Sequence, residues 1–218
     1  MKIIIYSCSL LAISLISYAT APLTLEDFDS YTHTDDLQYT VAACGSTAQP
    51  GALILQPQAG VNHSNAVCFE LPPDPGGSAG LKLINLDPVA GDLSKYSEIQ
   101  FYAHIEVLGG YNESLNTTRV RVALENANGT LWQSLDSTAV DPDSGDPVAL
   151  QLSSADMERV AGTDSFERTL AGVDTIELQF IHAGETGIRQ TVCVDSIVVR
   201  SGFGTLIHLA AVDREHPR

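Results

Sequence analysis

Residues 98–108 alternate apolar and polar side chains in period two. Ile99, Phe101, Ala103, Ile105 and Val107 fall on one side, and Gln100, Tyr102, His104 and Glu106 on the other. Successive side chains of an extended strand point to opposite faces, so this pattern demands a strand with one buried face. A helix would scatter the same residues around its circumference. Residues 118–125 repeat the pattern, with Val120, Val122 and Leu124 opposite Arg119, Arg121 and Ala123. A sheet with one apolar face has to bury it against a second layer. Further strand-like runs are read at 37–43, 52–56, 66–71, 80–86, 130–135, 148–152, 174–182 and 190–200. Between them stand turn signals such as Pro72-Pro73-Asp74-Pro75-Gly76-Gly77 and the hairpin-type Asn126-Ala127-Asn128-Gly129. One short helix is expected at Ser153–Arg159, capped by Ser153 or Ser154. Strands this frequent, separated by Gly, Pro and Asn turns, predict an all-β fold, an antiparallel β-sandwich.

Residues 1–21 read as a signal peptide. Lys2 precedes an apolar stretch, and Ala19-Thr20-Ala21 has the small-x-small form of a cleavage site. The stretch is short for a membrane span, and no later run approaches the ~20 apolar residues a second span needs. The sandwich is then expected over 22–200, with 201–218 a C-terminal tail. The chain carries 27 acidic against 11 basic residues, a net charge of −16. Such a surface repels nucleic acid and anionic lipid, and neither is expected as a partner.

Cys44, Cys68 and Cys193 follow the leader. Secretion favours a disulfide, and three cysteines allow one bridge and one leftover. Cys44–Cys68 is the expected bridge, because both flank strand-like runs joined by a short excursion. Cys193, in an apolar strand, is expected as a buried thiol. Asn62, Asn112, Asn116 and Asn128 each begin an Asn-x-Ser/Thr glycosylation sequon.

The two ends of the predicted sandwich match one another. Leu25-Glu26-Asp27-Phe28-Asp29 opens it and Val192-Cys193-Val194-Asp195-Ser196-Ile197-Val198-Val199 closes it. First and last strands of a sandwich often pair. These segments resemble the opening "DFE"-like and closing "V-x-V-D-x-I-x-V"-like strands of jelly-roll, galactose-binding-like carbohydrate-binding modules. The resemblance spans roughly residues 23–200. It implies a jelly roll, glycan binding and a structural calcium between the terminal strands, held by Asp29 and Asp195 with Asp27 as a substitute ligand. Calcium takes six to eight oxygens, for which acidic strand ends are suited. The loop Asp141-x-Asp143-x-x-Asp146 begins like an EF-hand, but its sixth position is not Gly and its twelfth is Leu152 rather than Glu.

Sugars stack their C–H faces on aromatic rings while polar side chains hold their hydroxyls. On parity, Tyr102, His104, Arg121, Trp132 and Gln179 are expected to line one groove on the polar face of the central strands. The expected function is a secreted, non-catalytic carbohydrate-binding domain whose partner is a polysaccharide or glycan. One alternative is an extracellular adhesion domain binding other proteins. The other is a jelly-roll lyase or hydrolase, for which Arg121, Gln179, His182 and Tyr102 supply a superficial inventory. Against catalysis, the E-x-D-x-x-E strand motif of one jelly-roll hydrolase group is absent, as are H-E-x-x-H and a phosphate loop.

Overall fold

The computed structural model describes residues 20–46, 52–108, 118–141, 145–183 and 189–201. All of them belong to one compact unit, 20–202. Residues 1–19 of the expected leader, the tail beyond 201, Asn112, Asn116 and Asp143 lie outside the described residues.

Thirteen strands are described: β1 Leu23–Glu26, β2 Val41–Gly45, β3 Ile54–Gln56, β4 Ala66–Leu71, β5 Ser78–Leu83, β6 Glu98–Leu108 and β7 Thr118–Asn126. Beyond these come β8 Leu131–Ser134, β9 Thr138–Val140, β10 Val148–Gln151, β11 Met157–Ala161, β12 Val173–His182 and β13 Arg189–Arg200. Sheet A runs β10-β6-β13-β4-β3, with β1 on the far end of β13. Sheet B runs β11-β8-β7-β12-β5-β2, with β9 beside β7. Every pairing among the described strands is antiparallel. The architecture is an antiparallel β-sandwich, as the alternation demanded, and of the jelly-roll type that the resemblance implied.

The apolar parity of the strands builds the core. Ile99 and Phe101 from β6, Phe69 from β4, Val120, Val122 and Leu124 from β7, and Leu178 and Phe180 from β12 are all buried. Phe180 of sheet B packs on Phe69 and Phe101 of sheet A at centroid separations of 5.5 and 5.9 Å. The ends meet as expected: Leu23 is opposite Val199 and Glu26 opposite Ile197. β13 carries an irregularity between Asp195 and Val198. Ser196 takes φ +51° there, and Val194 and Ile197, three residues apart, are both fully buried. The extra residue is a β-bulge; Asp195 already faces the outer side by alternation from Val194, and the bulge resets the parity so that Ile197 and Val199 return to the core.

Three local expectations change. Residues 34–39 form a 3-10 turn ahead of β2, with Leu37 buried beneath it. The expected helix at 153–159 is instead a turn, closed by Asp156 N–H donating to the Ser153 carbonyl at 3.0 Å, leading into edge strand β11. The α-helix lies later, α1 Phe166–Leu170, its start capped by Ser165 Oγ accepting from Arg168 N–H. Phe166 and Leu170 turn into the core, which is why this segment and not the other becomes helical.

Candidate functional site

The five residues expected in one groove separate because their strands divide between the sheets. Tyr102 and His104 stand on the outer face of sheet A, on β6, beside Asp195 and Cys193 of β13. Arg121 of β7 and Gln179 of β12 are register partners on the outer face of sheet B. Trp132 is opposite Leu124, whose side chain is fully buried, so both turn into the core. Its ring meets Phe166 edge-on at 5.3 Å, and the Arg159 guanidinium lies 5.9 Å from its centroid. The parity read for Trp132 holds but the side is reversed. Leu131 and Leu135 are the outward set, and Leu135 is exposed.

On sheet A, Tyr102 and His104 line a cleft of about 210 Å³ together with Gly60, Val61, Gly145 and Asp195. Tyr102 is half-buried and His104 exposed, and neither has a hydrogen-bond partner among the described residues. The outer wall is the segment following β3. Asp195, on the cleft floor, is only 2% exposed. Its Oδ2 accepts from Val61 N–H at 3.0 Å and from Ser64 Oγ at 2.6 Å, and its Oδ1 accepts from Ser196 Oγ at 3.2 Å. The contribution of Gly60, Val61 and Ser64 was not legible in the sequence. Asn62-His63-Ser64 reads there only as a sequon, and nothing local shows that this segment folds over β13.

Sheet B presents a polar row. Arg121 Nε donates to Gln179 Oε1 at 2.6 Å, and Gln179 Nε2 donates to Ser78 Oγ at 3.3 Å. Lys82 Nζ and Glu125 Oε2 pair at 3.2 Å across the same face. A larger opening of about 670 Å³ runs along one side of the sandwich, lined by Leu53, Phe69, Leu71 and Ala79 among others. It contains none of the five expected sugar-contacting residues, and its lining joins the apolar edge of the core to Gln56, Glu70, Arg189 and Thr191.

The expected disulfide is corrected. The bridge is Cys68–Cys193, and Cys44 is a buried free thiol. Cys68 and Cys193 are opposite each other on β4 and β13 of sheet A, with Cα atoms 4.0 Å apart. Cys44 lies in sheet B opposite Gly80, its Sγ donating to the Leu178 carbonyl at 3.7 Å. Burial, reinforced by nearby Glu177, pushes its thiol pKa well up, so it stays protonated. Closeness in sequence favoured the wrong partner because the two strands belong to different sheets.

The expected calcium ligands Asp27, Asp29 and Asp195 are each engaged by donors of the protein itself. Asp27 Oδ1 accepts from Asp29 N–H at 3.2 Å, and Asp29 Oδ1 from Asn65 N–H at 2.9 Å. Asp195 Oδ2 accepts from Val61 N–H, and the single Ser64 hydroxyl proton is shared between Oδ2 and the Val61 carbonyl, each 2.6 Å away. No group of three or more Asp, Glu, His or Cys side chains is placed to hold an ion among the described residues. These carboxylates are met by N–H and O–H donors where a cation would require further oxygens.

The lyase inventory does not converge either. Tyr102 faces out from sheet A, Arg121 and Gln179 face out from sheet B, and His182 is wholly buried between the sheets. The segment Gly76-Gly77-Ser78-Ala79-Gly80 has the G-x-S-x-G form of a hydrolase nucleophile turn. It leads into strand β5 instead of turning from a strand into a helix. Ser78 Oγ is engaged by Gln179 and Ser46, with no histidine bonded to it. Of the described sequons, Asn62 is exposed in a tight turn, and Asn128 is exposed with its Nδ2 donating to Asp164 at 3.1 Å. No helix among the described residues is long and apolar enough to cross a membrane.

No family model matches the sequence, and no curated protein matches it. Solved structures do. A family 11 carbohydrate-binding module of a cellulosomal cellulase of Clostridium thermocellum superposes with a TM-score of 0.52 at 17% identity, covering 86% of this chain and 98% of that one. A carbohydrate-binding module described as specific for non-crystalline cellulose gives 0.52 at 13% identity, covering 83% and 94%. An exo-β-agarase gives 0.51 at 14% identity over 85% of this chain, which spans only 26% of that enzyme. The fold of this chain is the β-sandwich of carbohydrate-binding modules.

Proposed function

We propose that the chain is an exported, non-catalytic carbohydrate-binding domain that takes a polysaccharide or glycan against Tyr102 and His104 on sheet A. The observation carrying this reading is the cleft itself. It gathers an aromatic ring, an imidazole and backbone from Gly60 and Val61 into one concavity, with the two side chains unspent on internal hydrogen bonds. A ring for stacking beside polar groups for hydroxyls is what a sugar requires. The shared fold with carbohydrate-binding modules supports the same class of ligand. The leader-like residues 1–21 and the disulfide Cys68–Cys193 support export to an oxidising compartment.

A second surface has its own support. The Arg121–Gln179–Ser78 row offers a guanidinium and an amide on an open sheet face. A glycan array identifies the ligand, and titration calorimetry on single variants separates the faces. Tyr102→Ala is expected to weaken binding by about 1–3 kcal/mol, the range of an anchoring contact, while Arg121→Ala leaves it unchanged. The reverse pattern would move the site to sheet B. Failure to bind any glycan on the array would remove the carbohydrate reading.

A further inference from the structure

The region around Asp195 is built in a way that a metal does not explain. Six non-glycine residues among those described have positive φ, and five of them lie here or on segments touching it: Phe28, Gln58, Asn62, His63 and Ser196. Such conformations are costly for side chains and persist only where surrounding contacts over-determine them. Asp195 contacts the segments that carry Asn62, His63 and Ser196, while Phe28 N–H is held by Glu26 Oε1. Asp195 receives Val61 N–H, the Ser64 hydroxyl and the Ser196 hydroxyl. One residue further, Asn65 N–H donates to Asp29, and Asn65 Nδ2 donates to the carbonyls of Phe28 at 3.4 Å and Tyr31 at 3.3 Å. Gly60 admits no side chain, since a Cβ there would sit 2.5 Å from both Asp195 Oδ2 and Ser64 Oγ.

We infer that Asp195 is a metal-free latch: hydrogen-bond donors from residues 61–64 take the place that a structural calcium has in the modules this chain resembles. A cation would join the opening segment to β13 by drawing carboxylates to itself. Here residues 60–65 do the joining, held by Asp195 of β13 at one end and by Asp29 of the opening segment at the other. Val61 N–H occupies one lone-pair direction of Oδ2, and the Ser64 hydroxyl, 2.6 Å from both Oδ2 and the Val61 carbonyl, lies across the other. The latch also sets the wall of the Tyr102 cleft, because Gly60 and Val61 belong to both. The inference rests on this geometry and does not depend on the carbohydrate reading.

The test is thermal unfolding of the protein in EDTA and in millimolar calcium chloride, with calorimetric titration of calcium alone. The wild-type midpoint is expected to be the same in both buffers, with no calcium binding heat. Asp195→Asn places amide hydrogens against existing donors and should lower the midpoint by about 4–8 °C in either buffer, equivalent to about 2 kcal/mol for a chain of this size. Ser64→Ala keeps the carboxylate and should give a smaller, equally calcium-independent loss, which decides the matter if the Asn variant does not fold. A calcium-dependent rise in the wild type that Asp195→Asn abolishes would overturn the latch. So would an undiminished midpoint in both variants.

Discussion

At the level of single residues, His182, Trp132 and Gly60 each carry a checkable consequence. His182 is fully buried at the end of β12, and neither ring nitrogen has a hydrogen-bond partner among the described residues. Burial lowers its pKa, with Asp74 opposing the shift. The folded state therefore keeps the imidazole neutral below pH 6.5, where the unfolded chain takes up a proton. Stability contributed by this residue is present above that value and is lost as pH falls from it toward the lowered folded pKa. Urea midpoints should decline between neutral pH and pH ~5. His182→Leu, of similar volume, should flatten that part of the decline, and an unchanged slope would show that His182 is not its source. Trp132 is a core residue, so Trp132→Ala should cost about 3 kcal/mol of stability while leaving glycan affinity intact. Chemical denaturation and calorimetry on the same sample check both halves. Gly60→Ala forces a Cβ into Asp195 and should cost about 1–3 kcal/mol, read as a lower denaturation midpoint.

At the level of elements, the strand β13 joins more of the fold than any local feature announces. It pairs with β6 along most of its length, with β4 through Gln190–Val194, and with β1 at its far end. The disulfide lies within the β4 pairing and closes a sequence separation of 125 residues. Constraining so long a loop in the unfolded chain is worth at most about 5 kcal/mol in the chain-entropy model. Cys68→Ala with Cys193→Ala should lower stability within that bound, and non-reducing peptide mapping should find Cys44 unbridged in the wild type. The hairpin β7–β8 shows the complementary case, where local signals suffice. Asn126 Oδ1 accepts from Asn128 and Thr130 N–H, and Gly129 takes φ +74°. Asn128 and Asn126 in turn donate to Asp164, which holds its carboxyl below the usual range, with Arg168 adding to the effect. Edge strand β11 had the opposite fate. Its residues are mostly exposed, so they carry little alternation to distinguish a strand from a helix.

For the whole molecule, long-range pairing dominates. Sheet A is assembled from strands at both ends and the middle of the described chain. A chain ending before Arg189 leaves β6 and β4 without their common neighbour and the core open on one side. It should show no cooperative melt by circular dichroism, whereas loss of residues 202–218 should leave the melt of the 20–201 unit in place. Sandwiches of this kind, rich in non-local contacts, fold in milliseconds to seconds, and the wild type is expected in that range by stopped-flow fluorescence of Trp132.

What the sequence by itself determined was local: where the cleanly alternating strands run, which side of those is apolar, and that the two ends are strand segments fit to meet. Glu98–Leu108 and Ala66–Leu71 stand where the alternation and the turn signals placed them, because burial of one strand face is written in period two. Only the tertiary structure decided which sheet each strand joins. The alternation of β6 and of β7 is the same whether they are neighbours or belong to opposite sheets, since parity records a buried side and not a hydrogen-bonding partner. That one missing piece of information separated Tyr102 and His104 from Arg121 and Gln179 and gave Cys68 to Cys193, while the inward side of β8 was set by the pairing of Trp132 with buried Leu124. It also brought residues 60–65 over Asp195, a contact between segments more than a hundred residues apart that no short stretch of the chain encodes.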